Sequence, residues 1–244
     1  MAPTILITRP EPAAAALADA IGVELGPEVP ILRAPLMRIE VLSPSLPLDG
    51  VTRLIFTSRH GVEGFTRLNT RRDIPGIAIG PATAAVARAA GLRVDEGPGD
   101  AAGLAARLAG EGGDAARCLY LRGRHVAADL AAELRARGIP CAEAVVYDQV
   151  AQPLSGTARA LLSGTAPVVA PLLSPRSARL LGEAAPFAAP VCVAALSERV
   201  AQALPPGTAR LTQVAERPDL PALMRLLPGL HDAAKQLERG KRAQ

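Results

Sequence analysis

Two stretches of the chain repeat one arrangement of residues that could hold an anion. "LIFTSRHGV" ends its apolar run at Thr57-Ser58-Arg59, and "VVAPLLSPRSA" does so at Ser174-Pro175-Arg176-Ser177. A segment of helical period follows each. The first N–H groups of a helix are unpaired and face the positive end of its dipole. A Ser or Thr there caps the helix, and negative charge is favoured beside it. Three more turns share this character: Gly80 to Thr83 in "IAIGPAT", Arg122 to Arg124 in "LYLRGR", and Leu196-Ser197-Glu198 after "VCVAA". Singly, each reads best as a cap. Together the five point to an anionic ligand.

Sharper catalytic signatures are missing. No G-x-x-x-x-G-K-[ST] loop, G-x-G-x-x-G helix opening or G-x-S-x-G elbow occurs, and "GPGDAAG" has its glycines at the wrong spacing. His60, His125 and His231 are scattered, with no H-E-x-x-H, so no metal site is expected. Cys118, Cys141 and Cys192 form no C-x-x-C pair and sit in or beside apolar runs, as small core residues do. An enzyme of this kind must work chiefly by binding and orienting. Tyr147 could donate a proton, or could simply be a good strand residue. His60 could touch a ligand, or be a surface residue at a helix start.

Composition narrows the class. No apolar run in the 244 residues approaches the ~18 that a membrane span needs. "MAPTILITRPEP" meets an Arg and two Pro at once and does not read as a signal peptide, so a cytoplasmic protein is expected. Net charge is a mild +4, with no basic run in the body and 2% aromatic residues to stack on bases. Nucleic acid is therefore not an expected partner.

The elements that must position these turns alternate. Short runs such as "TILIT", "RLIFTS", "GIAIG", "RCLYLRG", "PVVAPLLS" and "PVCVAAL" read as strands. Ala/Leu/Arg-rich helical segments near 12–22, 60–68, 82–90, 101–110, 125–137, 176–185, 197–204 and 219–227 separate them. Strand–helix alternation predicts parallel sheets with helices on both faces. The chain also repeats: Ser58 and Ser174 are offset by 116, Thr83 and Ser197 by 114, Thr8 and Leu121 by 113. Two copies of one α/β unit follow, each with about five strands, a flavodoxin-like number. The extended stretches 34–41 and 145–152 would pair as the two connections between the copies. This predicts a discontinuous first domain (1–36 plus 151–230), a second (41–146), and a flexible tail (231–244).

At "LITRP", "IFTSRHGV", "IAIGPATA", "LYLRG", "GIPCAEAVVYDQV" and "LLSPRSA" the sequence resembles the uroporphyrinogen-III synthase family over nearly its whole length. The resemblance implies two flavodoxin-like parallel-sheet domains joined by a two-stranded ladder, with the active site in the cleft between them. It implies a lyase that needs no cofactor. Linear hydroxymethylbilane, a polycarboxylate, loses water and cyclises with inversion of its last ring, giving uroporphyrinogen III in tetrapyrrole biosynthesis. By position it implies that Tyr147 assists departure of the hydroxyl. Thr57, Ser58, Arg59, Gly80, Thr83, Arg122, Gly123, Ser174 and Ser197 fall on substrate-lining positions. It implies a monomer, in possible transient contact with the preceding pathway enzyme. The second half departs from the pattern: Ala194-Ala195-Leu196-Ser197-Glu198 lacks the family's Gly and puts a negative charge near an anion site, and Leu173 stands in place of Thr. The alternative is a non-catalytic two-domain binding protein for a small polyanionic ligand. A third reading makes the chain a structural partner that docks through its tail.

Overall fold

A computed structural model describes residues 2–111, 117–126 and 128–242. In chain order the elements begin with β1 (Thr4–Ile7), α1 (Ala13–Leu25), β2 (Ile31–Arg33), β3 (Met37–Val41) and β4 (Arg53–Phe56). Next come α2 (Arg59–Leu68), β5 (Gly76–Ala78), α3 (Pro81–Ala89), β6 (Val94–Glu96) and α4 (Ala101–Gly110). Then follow β7 (Cys118–Gly123), α5 (Leu130–Ala136), β8 (Cys141–Ala151), α6 (Gly156–Ser163) and β9 (Val168–Leu172). The chain ends with α7 (Pro175–Glu183), β10 (Val191–Ala195), α8 (Glu198–Gln202), β11 (Leu211–Val214) and α9 (Leu220–Arg242).

Two compact units result, Met1–Arg38 with Ala151–Gln244, and Ile39–Val150. The first carries a five-stranded sheet ordered β11-β10-β9-β1-β2, parallel at every pairing. The second carries a sheet ordered β6-β5-β4-β7-β8, also parallel, with β3 added beside β8. The orders match strand for strand: β9 stands where β4 does, β10 where β5 does, and β1 where β7 does. Ser174 and Ser58 follow the first pair, Ser197 and Thr83 the second, so the repeated offsets mark equivalent places in two equivalent sheets. The first unit enters that sheet at a different strand, so its own chain order runs 2-1-3-4-5 and that of the second 3-2-1-4-5.

Helices cover both faces of each sheet, so the central strands are apolar without alternation. Ile5, Leu6 and Ile7 are all buried, as are Leu54, Ile55 and Phe56. In the first unit Leu6, Ala170, Leu172 and Val193 face one core, while Ile5, Ile7, Val169 and Cys192 face another. The second unit repeats this with Phe56 and Leu121 on one side and Ile55 and Tyr120 on the other. The two extended stretches expected to connect the copies contribute β3 and β8, which are neighbours. Leu42 N–H donates to the Val146 carbonyl and Gln152 N–H to that of Leu36, both at 2.9 Å, an antiparallel pattern.

Three local features differ from the sequence reading. α6 was not expected, because "SGTARALLSG" is short and bounded by Gly and Ser; Ser155 nevertheless caps it, accepting from Ala158 N–H at 3.2 Å. α5 begins only after Asp129, whose carboxylate accepts from Ala132 N–H. Residues 231–242, read as a flexible tail, continue α9. Leu223, Leu227, Leu230 and Ala234 recur at helical spacing and are buried in the core of the first unit, and His231 is buried with them. Among the described residues no helix is long and apolar enough to cross a membrane.

Candidate active site

Tyr147 owes its position to an irregularity in β8. Pairing runs Leu121 with Ala144 and Arg122 with Val145, then jumps to Gly123 with Tyr147. β8 thus holds one extra residue opposite the Arg122–Gly123 step, a bulge that reverses the alternation of side chains. Ala144 and Val146 face the core under α2. Tyr147, one residue on, faces it too. Without the bulge Tyr147 would share the opposite face with Glu143.

α2 is pressed against these strands by two glycines. A Cβ on Gly61 would stand 2.6 Å from the Leu121 carbonyl oxygen, and one on Gly64 2.7 Å from Val146 Cβ. Only hydrogen fits at either place. This contact brings the first residue before the helix, Ser58, to Tyr147. Ser58 Oγ accepts from Gly61 N–H at 3.1 Å as the cap of α2 and donates to the Tyr147 hydroxyl at 2.9 Å. The Tyr147 ring is 6% exposed, and the His60 ring lies against it with centroids 5.4 Å apart. His60 Nδ1 is in turn 3.1 Å from Glu63 Oε2.

Burial pushes the Tyr147 hydroxyl above its ordinary pKa, partly offset by the hydrogen bond from Ser58. The group is therefore a neutral phenol. Its oxygen already accepts a hydrogen bond, so its own proton is left to donate.

Helix starts in this unit fall into two kinds. α4 and α5 are capped by Asp100 and Asp129, whose carboxylates take N–H groups and supply negative charge. α2 and α3 are capped by the uncharged Ser58 and Gly80, with no acid in their first turns. Their dipoles remain uncompensated, as an anion site requires.

The predicted residues separate accordingly. Ser58, Gly123 and Tyr147 are together. Thr57 is beside them, its Oγ1 2.8 Å from the hydroxyl of Tyr120. Gly80 and Thr83 open α3 after β5, next to β4, and Thr83 is buried. Arg59 pairs with Glu63 at 3.2 Å along the exposed side of α2, a contact that costs little to exchange for a ligand. Arg122 is committed elsewhere: it donates to Glu143 Oε1 at 2.6 Å on the sheet face opposite Tyr147, and to the Gly123 carbonyl. In the first unit Ser174 caps α7 and exchanges a hydrogen bond with Ser177 Oγ at 2.9 Å. Ser197 precedes α8 without a side-chain cap bond, and α8 has five residues with Glu198 in its first turn. That start is the least suited to an anion.

Sequence reasoning missed Tyr120, Gly61, Gly64 and Asp148. Tyr120 is 3% exposed, and its hydroxyl is pushed up by burial despite the bond with Thr57. Asp148 follows Tyr147 and receives Arg124 Nε at 2.7 Å, with His125 Nε2 3.5 Å away. The spacing of Gly61 and Gly64 within a helix was the available signal of close packing. Among the described residues no group of three or more His, Cys, Asp or Glu could hold a metal ion.

The family model described as uroporphyrinogen-III synthase HemD matches residues 25–225. The uroporphyrinogen-III synthetase of Helicobacter pylori is similar in structure, with a TM-score of 0.66 and 17% identity over 94% of this chain and 100% of that one. A mutant uroporphyrinogen III synthase from the extremely thermophilic bacterium Thermus thermophilus has a TM-score of 0.53 and 16% identity, over 96% of this chain and 99% of that one. A search of the curated proteins finds no match.

Proposed function

Since the chain belongs to the uroporphyrinogen-III synthase family, we propose that Tyr147 is the group that protonates the departing hydroxyl of its substrate. The reaction is that of a lyase: hydroxymethylbilane is cyclised with loss of water to uroporphyrinogen III. The observation that carries the residue assignment is the buried phenol with a hydrogen bond from Ser58 and a proton to spare, beside the uncharged start of α2.

The C–O bond of the hydroxymethyl group breaks, and its electron pair leaves on oxygen. The Tyr147 proton converts that oxygen to water. A cation remains on the bilane and a phenolate on Tyr147. Burial opposes the phenolate, while the Ser58 hydroxyl donates to the very oxygen that becomes negative, a bond that strengthens as charge develops. The last ring attacks through a spiro intermediate, and the proton released on rearomatisation returns to Tyr147. The starts of α2 and α3, with Ser58, Gly80 and Thr83, take carboxylates of the substrate, and Arg59 leaves Glu63 to join them. Ser174 at the start of α7 does the same in the first unit. Arg122 acts indirectly by fixing the Arg122–Gly123 step that faces the bulge. Holding the cation in one folded conformation is what selects ring inversion.

The sheet order 2-1-3-4-5 supports reading the first unit as flavodoxin-like, and the matching of strands extends that reading to the second. The test of function mixes the protein with hydroxymethylbilane, oxidises the products and separates the type I and type III porphyrins. Type III product above the spontaneous rate is expected. Type I alone, at the spontaneous rate, would leave a non-catalytic binding protein for polyanions.

A further inference from the structure

One hydrogen bond fixes the Tyr147 hydroxyl at Ser58, but a ring held at one point is free to tilt. A second contact comes from His60, two residues after Ser58 in the first turn of α2. Its ring lies against that of Tyr147, the centroids 5.4 Å apart and the planes inclined at 55°. Aromatic pairs attract in such tilted arrangements, with centroids about 4.5–7 Å apart. The His60 side chain is 17% exposed, against 41% for Arg59 and 37% for Glu63, so of these three it is the one turned inward.

His60 is itself anchored. Its Nδ1 lies 3.1 Å from Glu63 Oε2, one turn along α2. An ionised carboxylate can only accept, so Nδ1 carries the proton, and the ring is fixed in one tautomer and one orientation. Arg59 uses the other oxygen, Oε1, at 3.2 Å. Transfer of Arg59 to a substrate carboxylate therefore leaves the His60 bond in place. We propose that His60, anchored by Glu63, is a positioning residue that holds the Tyr147 phenol at Ser58 in the geometry proton donation requires. This rests on the assignment of Tyr147 as the proton donor.

The test is a double-mutant cycle read by type III formation. His60→Ala should slow the reaction about tenfold, and Glu63→Ala about threefold. In the Tyr147→Phe background neither should slow it further, because the group they position has no proton to give. A merely structural role would instead cost the same factor in both backgrounds. An unchanged rate in His60→Ala, with Tyr147→Phe slowed, would overturn this inference and leave Tyr147 in the reaction. Equal losses in both backgrounds would do the same. Tyr147→Phe without effect would overturn both assignments. A second measurement needs no turnover. In Tyr120→Phe, Tyr147 is the one tyrosine left, and absorbance reads its ionisation. Burial holds that phenol above its ordinary value, so adding His60→Ala should move its ionisation to lower pH. An unchanged titration would overturn the proposal.

Discussion

Gly123 and Tyr147 are partners across β7 and β8, and the phenol fills the space a side chain on Gly123 would need. A Cβ there would lie 2.6 Å from Tyr147 Cζ and 2.9 Å from its hydroxyl oxygen. Gly123 is not required for a left-handed backbone, so its role is room for the ring. Gly123→Ala should displace the phenol from Ser58. Activity should fall at least about tenfold, with a stability loss of about 1–3 kcal/mol by overpacking. Adding Tyr147→Leu should restore stability to Gly123→Ala without restoring activity. Chemical denaturation and the isomer assay read the two effects separately.

Tyr147→Phe keeps the ring and removes the proton. A loss of about 10²-fold or more in the rate of type III formation is expected, with the fold intact. Unchanged rate and isomer ratio would remove Tyr147 from the reaction.

Ser58 has two tasks that substitution can separate. Ser58→Ala should cost about 1 kcal/mol through the lost cap of α2, and should also slow the reaction. Ser58→Asp keeps a capping oxygen, so most of the stability should return. It places a carboxylate at the anion site and beside the developing phenolate, so activity should remain low.

Tyr120 and Tyr147 are the two tyrosines of the chain, and burial pushes both above their ordinary value of 10.0. The folded state holds these protons more tightly than the unfolded chain does. Their contribution to stability is thus fully present below pH 10 and is lost as pH rises through the folded-state values. Absorbance at the tyrosinate band should show no ionisation in the native protein up to about pH 10. A phenol titrating below that point would contradict the buried placement.

Burial likewise raises all three thiols, Cys141 to about 12. Native protein at pH 8 should be inert to a thiol-reactive disulfide, and all three cysteines, Cys118, Cys141 and Cys192, should react once it is unfolded. A thiol that reacts at once in the native state would refute the core assignment.

Much of this architecture is local information. Apolar runs without alternation mark strands covered on both faces, and Ile5-Leu6-Ile7 and Leu54-Ile55-Phe56 are such runs. Ser58 and Ser174 sit where a strand gives way to a helix, and composition around them identifies the cap. The near-constant offsets mark strands that occupy equivalent places in the two sheets.

What the tertiary structure alone decided is which way particular side chains face. Counting along β8 by twos puts Tyr147 with Glu143, and the bulge against Arg122–Gly123 puts it with Val146. Arg122, with the charge and position of an anion binder, is drawn to Glu143 because that residue is its neighbour on the next strand. The buried continuation of α9 past Leu230 depends on the core of the first unit being there to receive it. Period and capping are properties of a few consecutive residues, so the sequence determines them by itself. Register, bulges and ion-pair partners depend on a second strand distant in the chain, and a free energy shared between two segments is not written in either one.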